Sequence, residues 1–143
     1  MQTFLPLSDY KKSMMCLDKS RLGNQVWREG ITLIRGGWPN HPASKMWRGH
    51  EYHLGLYLLA GLKVLRERSG KDYIEIEQKI RTEMKKFRNT GKPKWVGNER
   101  FHASHRSNLL RKDKEWYSQF GWNEPDDLPY VWPTKEVNFT NYD

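Results

Sequence analysis

The longest apolar stretch of the chain, LGLYLLAGL over residues 54–62, limits the fold more than any other feature. It is shorter than the roughly 18 residues that a membrane span needs. A helix that is apolar on nearly all sides has to be covered by other elements on all sides. We therefore expect a central buried helix from Pro42 in its first turn to about Arg68, ending at Ser69 and Gly70.

Helical spacing also dominates the rest of the chain, and strand-like alternation is nearly absent. We expect helices from a Ser8 cap to about residue 17, from Asp18 to Gly36, after an Asp72 cap, over 98–111 and over 113–120. The prolines of LPYVWP (128–133) predict an extended tail. The predicted fold is all-α: a single compact helical domain over residues 1–143 with long loops, and a tail over 121–143 packed on the body.

Composition narrows the class of protein. Aromatic residues make up 13% of the chain, with seven Trp, and this content excludes a disordered chain. The single cysteine, Cys16, excludes an internal disulfide framework and a cysteine-rich zinc site. No basic segment followed by an apolar one marks a secretory signal. We expect a cytoplasmic monomer that needs no cofactor or metal and does not bind a membrane.

The charge of +8 is unevenly distributed. Residues 81–112 carry ten basic and two acidic side chains, whereas residues 113–143 carry two basic and seven acidic ones. A basic body favours a polyanionic partner, and double-stranded DNA is the partner we expect. Charge alone leaves open a solvated basic face without a partner.

A first polar cluster lies in LDKSRLGNQ (17–25) and continues to Glu29. Arg21, Gln25 and Glu29 follow one another at i, i+4 and i+8, on one face of a helix. A carboxylate near an arginine acts as a base or stabilises positive charge. The same spacing is also typical of a surface ion-pair network.

A second cluster, HPASKMWRGH (41–50), predicts the lip of a polar cleft. Lys45 and Arg48 are candidate phosphate ligands, and His50 is a candidate catalytic group. Trp47, together with Trp38 just before the cluster, is a candidate for stacking on an exposed base. His50 and His53 are three residues apart, a spacing that can ligate a metal, but no third ligand accompanies them, so we expect no metal site.

A third cluster, ERFHASHRSNLLRK (99–112), is dense in chemically active side chains. His102 and His105 are candidate catalytic groups. Contacts from Arg, Lys, Ser and Asn side chains to phosphates are the commonest protein–DNA contacts. The candidates for such contacts here are Arg106, Ser107, Asn108, Arg111 and Lys112. The alternative is a buried hydrogen-bonded network that ties helices together.

Taken together, these segments resemble the pyrimidine-dimer DNA glycosylases, the small all-helical phage and bacterial enzymes called endonuclease V that excise dimers. The resemblance is carried by Pro42 to Gly49-His50, by FHASHRSNLL (101–110) and by KEWYSQFGW (114–122), and it covers most of the chain. It implies an all-helical fold, DNA as the partner and excision of a damaged pyrimidine.

The resemblance also implies a mechanism. In that family the α-amine exposed after removal of Met attacks C1′ and forms an imine, the strand then breaks by β-elimination, and a Glu on the first helix stabilises the charged intermediate. Here the large side chain of Gln2 blocks removal of Met, so the amine belongs to Met1. Alignment on Leu22 places Arg21 where the family has its Glu. Arg21 is then a phosphate or substrate contact, and Glu29 is the candidate carboxylate.

The leading hypothesis is a DNA glycosylase, with lyase activity at the abasic site, that acts on a damaged or modified pyrimidine such as a dimer. One alternative is a noncatalytic DNA-binding module on the same scaffold. Another is a His/Glu-dependent enzyme on a modified base or nucleotide that uses His50, His102 and His105 as acid, base and phosphate ligands. An enzyme is favoured over a binding module if five side chains converge in one cleft: Arg21, Glu29, His50, His102 and Arg106.

Overall fold

The structure, a computed structural model, describes residues 2–133. Within that range it consists of helices and irregular segments, without strands, so the predicted all-α fold is confirmed. The elements are α1 (Tyr10–Cys16), α2 (Lys19–Gly23), a π-helical segment (Asn24–Glu29), α3 (Gly30–Ile34), α4 (Pro42–Trp47), α5 (Glu51–Ser69), α6 (Ile74–Met84), α7 (Glu99–Lys112), α8 (Lys114–Tyr117) and a 3₁₀ turn (Ser118–Phe120).

Helix α5 is the central element, as the apolar stretch predicts. Leu54, Tyr57, Leu58 and Leu62 are each at most 1% exposed. α5 packs against α1, the π-helical segment, α3 and α6. No helix among residues 2–133 is long and apolar enough to cross a bilayer.

The prediction of a single helix over residues 42–68 is wrong, because the structure contains two helices there. α4 ends at Trp47 and α5 begins at Glu51. Between them Gly49 has φ of +87°, a left-handed conformation that glycine adopts without strain and that ends a helix. Pro42 does open α4, and Gly70 closes α5 with φ of +72°.

Two predicted caps are displaced by one residue. The side chain of Asp9, not Ser8, caps α1 by accepting from the N–H of Lys12 at 2.8 Å. α6 begins after Tyr73, which has φ of +55°, and not after Asp72. The helix predicted over 98–111 is confirmed as α7, and the side chain of Asn98 caps it by accepting from the N–H of Phe101 at 3.0 Å.

α2, the π-helical segment and α3 follow one another without a break, and the middle segment lies against α5. Gly30 permits this approach. A Cβ atom at Gly30 would lie 2.1 Å from Leu58 Cδ2 and 2.3 Å from the carbonyl oxygen of Gln25. The absent side chain therefore lets this helical stretch pack closely on α5, and π-helical turns are frequent at functional sites.

Two irregular segments pack against α7. The first, residues 2–6, is buried. Residues 121–133 are non-helical, and their backbone is hydrogen-bonded to α7 side chains, so the expected extended tail is confirmed for these residues. The rest of the predicted tail, 134–143, lies outside the described residues.

Candidate active site

The N-terminal segment, residues 2–6, is held by α7. The N–H of Leu5 donates to Nδ1 of His105 at 2.8 Å, and its carbonyl oxygen accepts from Nδ1 of His102 at 2.7 Å. Nη1 of Arg106 donates to the carbonyl oxygen of Pro6 at 2.7 Å. Side chains of one helix thus replace the backbone pairing that an extended segment would find in a sheet, and they fix its path.

Gln25, on the π-helical segment, connects this N-terminal segment to a carboxylate. Its Nε2 donates to the carbonyl oxygen of Gln2 at 2.6 Å and to Oε2 of Glu29 at 3.0 Å. Its Oε1 accepts from the N–H of Phe4 at 2.9 Å and lies 2.8 Å from the hydroxyl of Tyr57, whose one proton is shared with the carbonyl oxygen of Phe4 at 2.6 Å. Both donors and both acceptor positions of this buried amide are therefore used, which fixes its orientation.

A hollow of about 340 Å³ opens beside this arrangement. Its volume falls within the roughly 300–1,000 Å³ of small-molecule sites. The N-terminal segment, the stretch from α2 to the π-helical segment, the end of α7 and the tail all contribute to it. Its walls are formed by Gln2, Phe4, Ser20, Arg21, Asn24, Gln25, Glu29, Lys112 and Tyr130.

The two carboxylates nearest to Arg21 in sequence have opposite properties. Burial raises the pKa of Glu29 above its ordinary value, against the opposing effect of Arg28 and Lys112. Burial alone would also raise the pKa of Asp18, but hydrogen bonds from Tyr117 (2.5 Å) and Arg21 (3.1 Å) hold it below its ordinary value. Glu29 lines the hollow and Asp18 does not.

The structure brings Arg21, Gln25, Glu29 and Lys112 together in the wall of one hollow. These are four of the residues selected from the sequence. Met1 lies outside the described residues.

His102 and His105 do not line the hollow, and their surroundings do not fit a catalytic role. His102 donates through Nδ1 and accepts from the N–H of Gly97 through Nε2 at 2.9 Å, so it is neutral with both nitrogens in use. His105 is fully buried, and burial lowers its pKa to about 3. Both rings act as supports of the N-terminal segment.

Arg106, Ser107 and Asn108 are buried on α7, at most 7% exposed, which does not fit direct binding of phosphate. They form the buried hydrogen-bonded network that the sequence left open as an alternative. The network joins Arg106 to Glu99, Glu124 and Pro6, Ser107 to Pro125 and Leu128, and Asn108 to Leu128 and Arg111. Arg111 itself is exposed at the end of the helix.

The candidates around α4 also lie outside the walls of the hollow. Lys45 and Arg48 are exposed, and Arg48 donates to the carbonyl oxygen of Pro39 at 2.6 Å. His50 is half-buried, and its Nδ1 has no hydrogen-bond partner within residues 2–133. Their roles in binding and catalysis stay predictions.

The two tryptophans proposed to stack on a base differ in exposure. Trp38 is 47% exposed, with φ of +50°, in the turn before α4. Trp47 is 2% exposed, donates from Nε1 to Oγ1 of Thr3 at 2.9 Å, and packs edge-on against Trp95. Burial therefore leaves Trp47 no face for a base, and only Trp38 keeps the predicted role.

Several lining residues were not selected from the sequence. Ser20 and Asn24 are four residues apart, each next to a residue that was selected, so helical spacing contained a signal for them. Gln2 and Tyr130 lie in irregular segments, where no periodicity shows which side chains meet. Within residues 2–133 there is no group of three or more His, Cys, Asp or Glu side chains placed to hold a metal ion.

Comparison with known proteins identifies a family that matches the N-terminal part of the chain. The sequence model of a family described as pyrimidine dimer DNA glycosylase matches residues 1–78, which is more than half of the 143 residues. No curated protein and no solved structure matches the chain. The matched part includes the N-terminal segment and Glu29, and it ends before α7.

Proposed function

Because the chain belongs to the pyrimidine dimer DNA glycosylase family, we propose that it excises a damaged or modified pyrimidine from double-stranded DNA in the hollow beside Glu29. The observation that carries this proposal is the position of Gln25. One amide group holds both the backbone at Gln2 and the carboxylate of Glu29 at the wall of one hollow. An N-terminal nucleophile and a carboxylate need this proximity to act on the same sugar.

The hollow suits a nucleotide turned out of the duplex, which an enzyme acting on a base requires. Arg21 and Lys112 supply positive charge for the flanking phosphates. When the bond between C1′ and the base weakens, positive charge develops on the sugar, and the carboxylate of Glu29 stabilises it. Burial of Glu29 strengthens this attraction, because the local dielectric is lower than in water.

The nucleophile we propose is the α-amine of Met1. Met1 directly precedes Gln2 in the sequence, and Gln2 lines the hollow. An α-amine has a pKa of about 7.7–8.0, so a neutral fraction exists near neutral pH.

The proposed reaction proceeds in three steps. The amine nitrogen attacks C1′, the C1′–N bond of the base breaks, and the base leaves with the electron pair and takes up a proton. The attached nitrogen then loses a proton and its lone pair forms the C1′=N bond of a protonated imine, while the C1′–O4′ bond breaks and O4′ takes up a proton. Loss of a proton from C2′ expels the 3′ phosphate, and the strand breaks.

The test uses duplex oligonucleotides that carry one cyclobutane pyrimidine dimer, with an undamaged duplex as the control. We expect base release and a strand break at the dimer, and a covalent adduct with abasic-site DNA after borohydride reduction. Mass spectrometry of the adduct should locate it on Met1. A variant with one additional residue before Met1 displaces the amine and should lose the adduct.

The results also separate the alternatives. Base release without an adduct would retain the glycosylase and remove the imine step. Salt-dependent DNA binding without any turnover would instead identify a noncatalytic binding module.

A further inference from the structure

The C-terminal strap, defined here as residues 124–131, is fastened along α7. Glu124 Oε1 accepts from Nε of Arg106 at 2.8 Å, and this hydrogen bond lowers the pKa of Glu124 below its ordinary value. The carbonyl oxygen of Leu128 accepts from Nδ2 of Asn108 at 3.0 Å. The N–H of Val131 donates to Oγ of Ser104 at 3.2 Å.

These bonds lie on both sides of Tyr130 and fix the path of the strap around it. The ring of Tyr130 lies edge-on to the buried ring of His105, with centroids 5.7 Å apart, and tilted against Trp132 at 5.5 Å. Tyr130 is therefore positioned both through its backbone neighbours and through its ring. Its position at the wall of the hollow follows from the attachment of the strap to α7.

The lining of the hollow is otherwise mostly polar. It contains two aromatic rings, Phe4, which is 6% exposed, and Tyr130, which is only half-buried. Arg21, Glu29 and Lys112 suit a sugar and its phosphates, but the face of a base is a π surface that binds best to an aromatic ring. Tyr130 is the more accessible ring for such a contact.

We propose that Tyr130 is a specificity-determining residue that contacts the displaced pyrimidine ring, and that the C-terminal strap positions it for this contact. The inference rests on the proposed function, since it names the part of the substrate that one wall of the same hollow recognises. Burial raises the pKa of Tyr130 to about 12, so its hydroxyl keeps its proton at neutral pH and donates to a carbonyl on the edge of the base.

Tyr130 lies outside the part of the chain that matches the family, whereas Glu29 lies inside it. The groups proposed for bond cleavage and the group proposed for base recognition thus come from different parts of the sequence. Changes in the strap therefore alter which pyrimidine is accepted without altering the cleavage chemistry.

The test compares a substrate that contains the base with one that lacks it. In Tyr130→Ala we expect kcat/KM on dimer-containing duplex to fall by about 5- to 150-fold, the effect of losing one stacked base. Strand cleavage at a preformed abasic site should stay within about twofold of wild type, because that substrate offers no base to contact. Tyr130→Phe keeps the ring and should recover most of the activity. Tyr52→Ala removes a half-buried tyrosine outside the hollow and serves as the control.

Equilibrium binding gives the same comparison without turnover. The probes are a duplex with one unpaired thymine and a duplex with a tetrahydrofuran abasic analogue. Tyr130→Ala should lower the preference for the unpaired thymine even in a chain that releases no base, which separates failure of this inference from failure of the proposed function. An equal loss on both duplexes, or an unchanged preference, would overturn the inference.

A double-mutant cycle tests the positioning by the strap. Glu124→Ala removes the attachment to Arg106 without touching the hollow. If the strap acts through Tyr130, the loss of preference in Glu124→Ala and that in Tyr130→Ala should not add in the double variant. Full additivity would show that the strap does not position Tyr130.

Discussion

Gln25 and Glu29 are joined by a hydrogen bond of 3.0 Å from Nε2 to Oε2 across the π-helical segment. The other hydrogen of the same nitrogen is donated to the carbonyl oxygen of Gln2 at 2.6 Å. The carboxylate and the N-terminal backbone are therefore held by one buried amide, whose own oxygen is fixed by Phe4 and Tyr57. The arrangement is preorganised, because no group has to move to bring the two together.

Glu29→Gln should abolish most of the activity without destabilising the fold. The substitution keeps the shape of the side chain and an oxygen that accepts from Gln25, but it removes the negative charge. We expect the rate of base release to fall by about 10²- to 10³-fold, the range for loss of one preorganised group that stabilises transition-state charge. Single-turnover kinetics on dimer-containing duplex measures the loss.

The stability of Glu29→Gln relative to wild type follows from the pKa of Glu29, because proton binding and folding are linked. Burial raises the pKa of Glu29, so the folded state binds more protons than the unfolded chain at pH values between the ordinary and the raised pKa. The stabilising contribution is present below the ordinary pKa and is lost as the pH rises through the raised pKa. At pH 7 the variant should therefore melt at or above the wild-type temperature.

The control for activity is Glu67→Gln, which changes an exposed carboxylate paired with Lys11 and should leave activity within about twofold. An equal loss of activity in both variants would exclude Glu29 from the reaction.

The sequence predicted the face formed by Arg21, Gln25 and Glu29, because the spacing of four residues keeps side chains adjacent even through a π-helical turn. It did not predict Tyr130, since the register of the strap on α7 depends on hydrogen bonds to backbone groups, which every residue type carries. The roles of His102 and Arg106 were ambiguous for a related reason. Side chains suited to proton transfer and phosphate binding are equally suited to hold buried backbone carbonyls.

His105→Asn should make the stability of the protein less sensitive to acid. Burial lowers the pKa of His105 to about 3 from its ordinary 6.5, so the folded state binds fewer protons than the unfolded chain between these values. The stabilisation is complete above pH 6.5 and is lost as the pH falls through this window. Asn keeps an acceptor for the N–H of Leu5 but does not titrate.

Urea unfolding at several pH values between 7 and 4 measures the effect. The slope of the unfolding free energy against pH should decrease by up to about 1.4 kcal/mol per pH unit, the value for one proton. The variant should also be less stable at pH 8, because a smaller side chain leaves a cavity. A slope equal to that of wild type would show that the pKa of His105 is the same in the folded and unfolded states.

Lys112→Gln should lower the salt dependence of DNA binding. Lys112 is exposed and lines the hollow, next to the expected path of the phosphates. Each neutralised phosphate contributes a slope of about −0.9 in a plot of log K against log salt concentration, so loss of one contact should reduce the slope by about that amount. Fluorescence anisotropy measures the binding constant at salt concentrations between about 50 and 200 mM. Lys79→Gln, on a different surface near Glu75 and Glu83, is the matched control and should keep the wild-type slope.

Trp38→Ala and Trp47→Ala should separate DNA binding from stability. Trp38 is 47% exposed, so its removal should change the unfolding free energy by no more than about 0.5 kcal/mol. If Trp38 stacks on an exposed base, its loss should weaken binding to dimer-containing duplex by about 5- to 150-fold. Trp47 is 2% exposed and donates to Thr3, so its removal should cost about 3–5 kcal/mol of stability.

Thermal melts and anisotropy on the same preparations provide both measurements for the two variants. Because Trp47 touches Thr3 in the N-terminal segment, its loss should also disturb the hydrogen bonds that hold Gln2 and Phe4 beside the hollow. Activity of Trp47→Ala should therefore fall together with its stability, whereas Trp38→Ala should lose affinity in a fully folded protein. Wild-type affinity in Trp38→Ala would exclude stacking by Trp38, and it would leave the aromatic contact with DNA to the rings in the wall of the hollow.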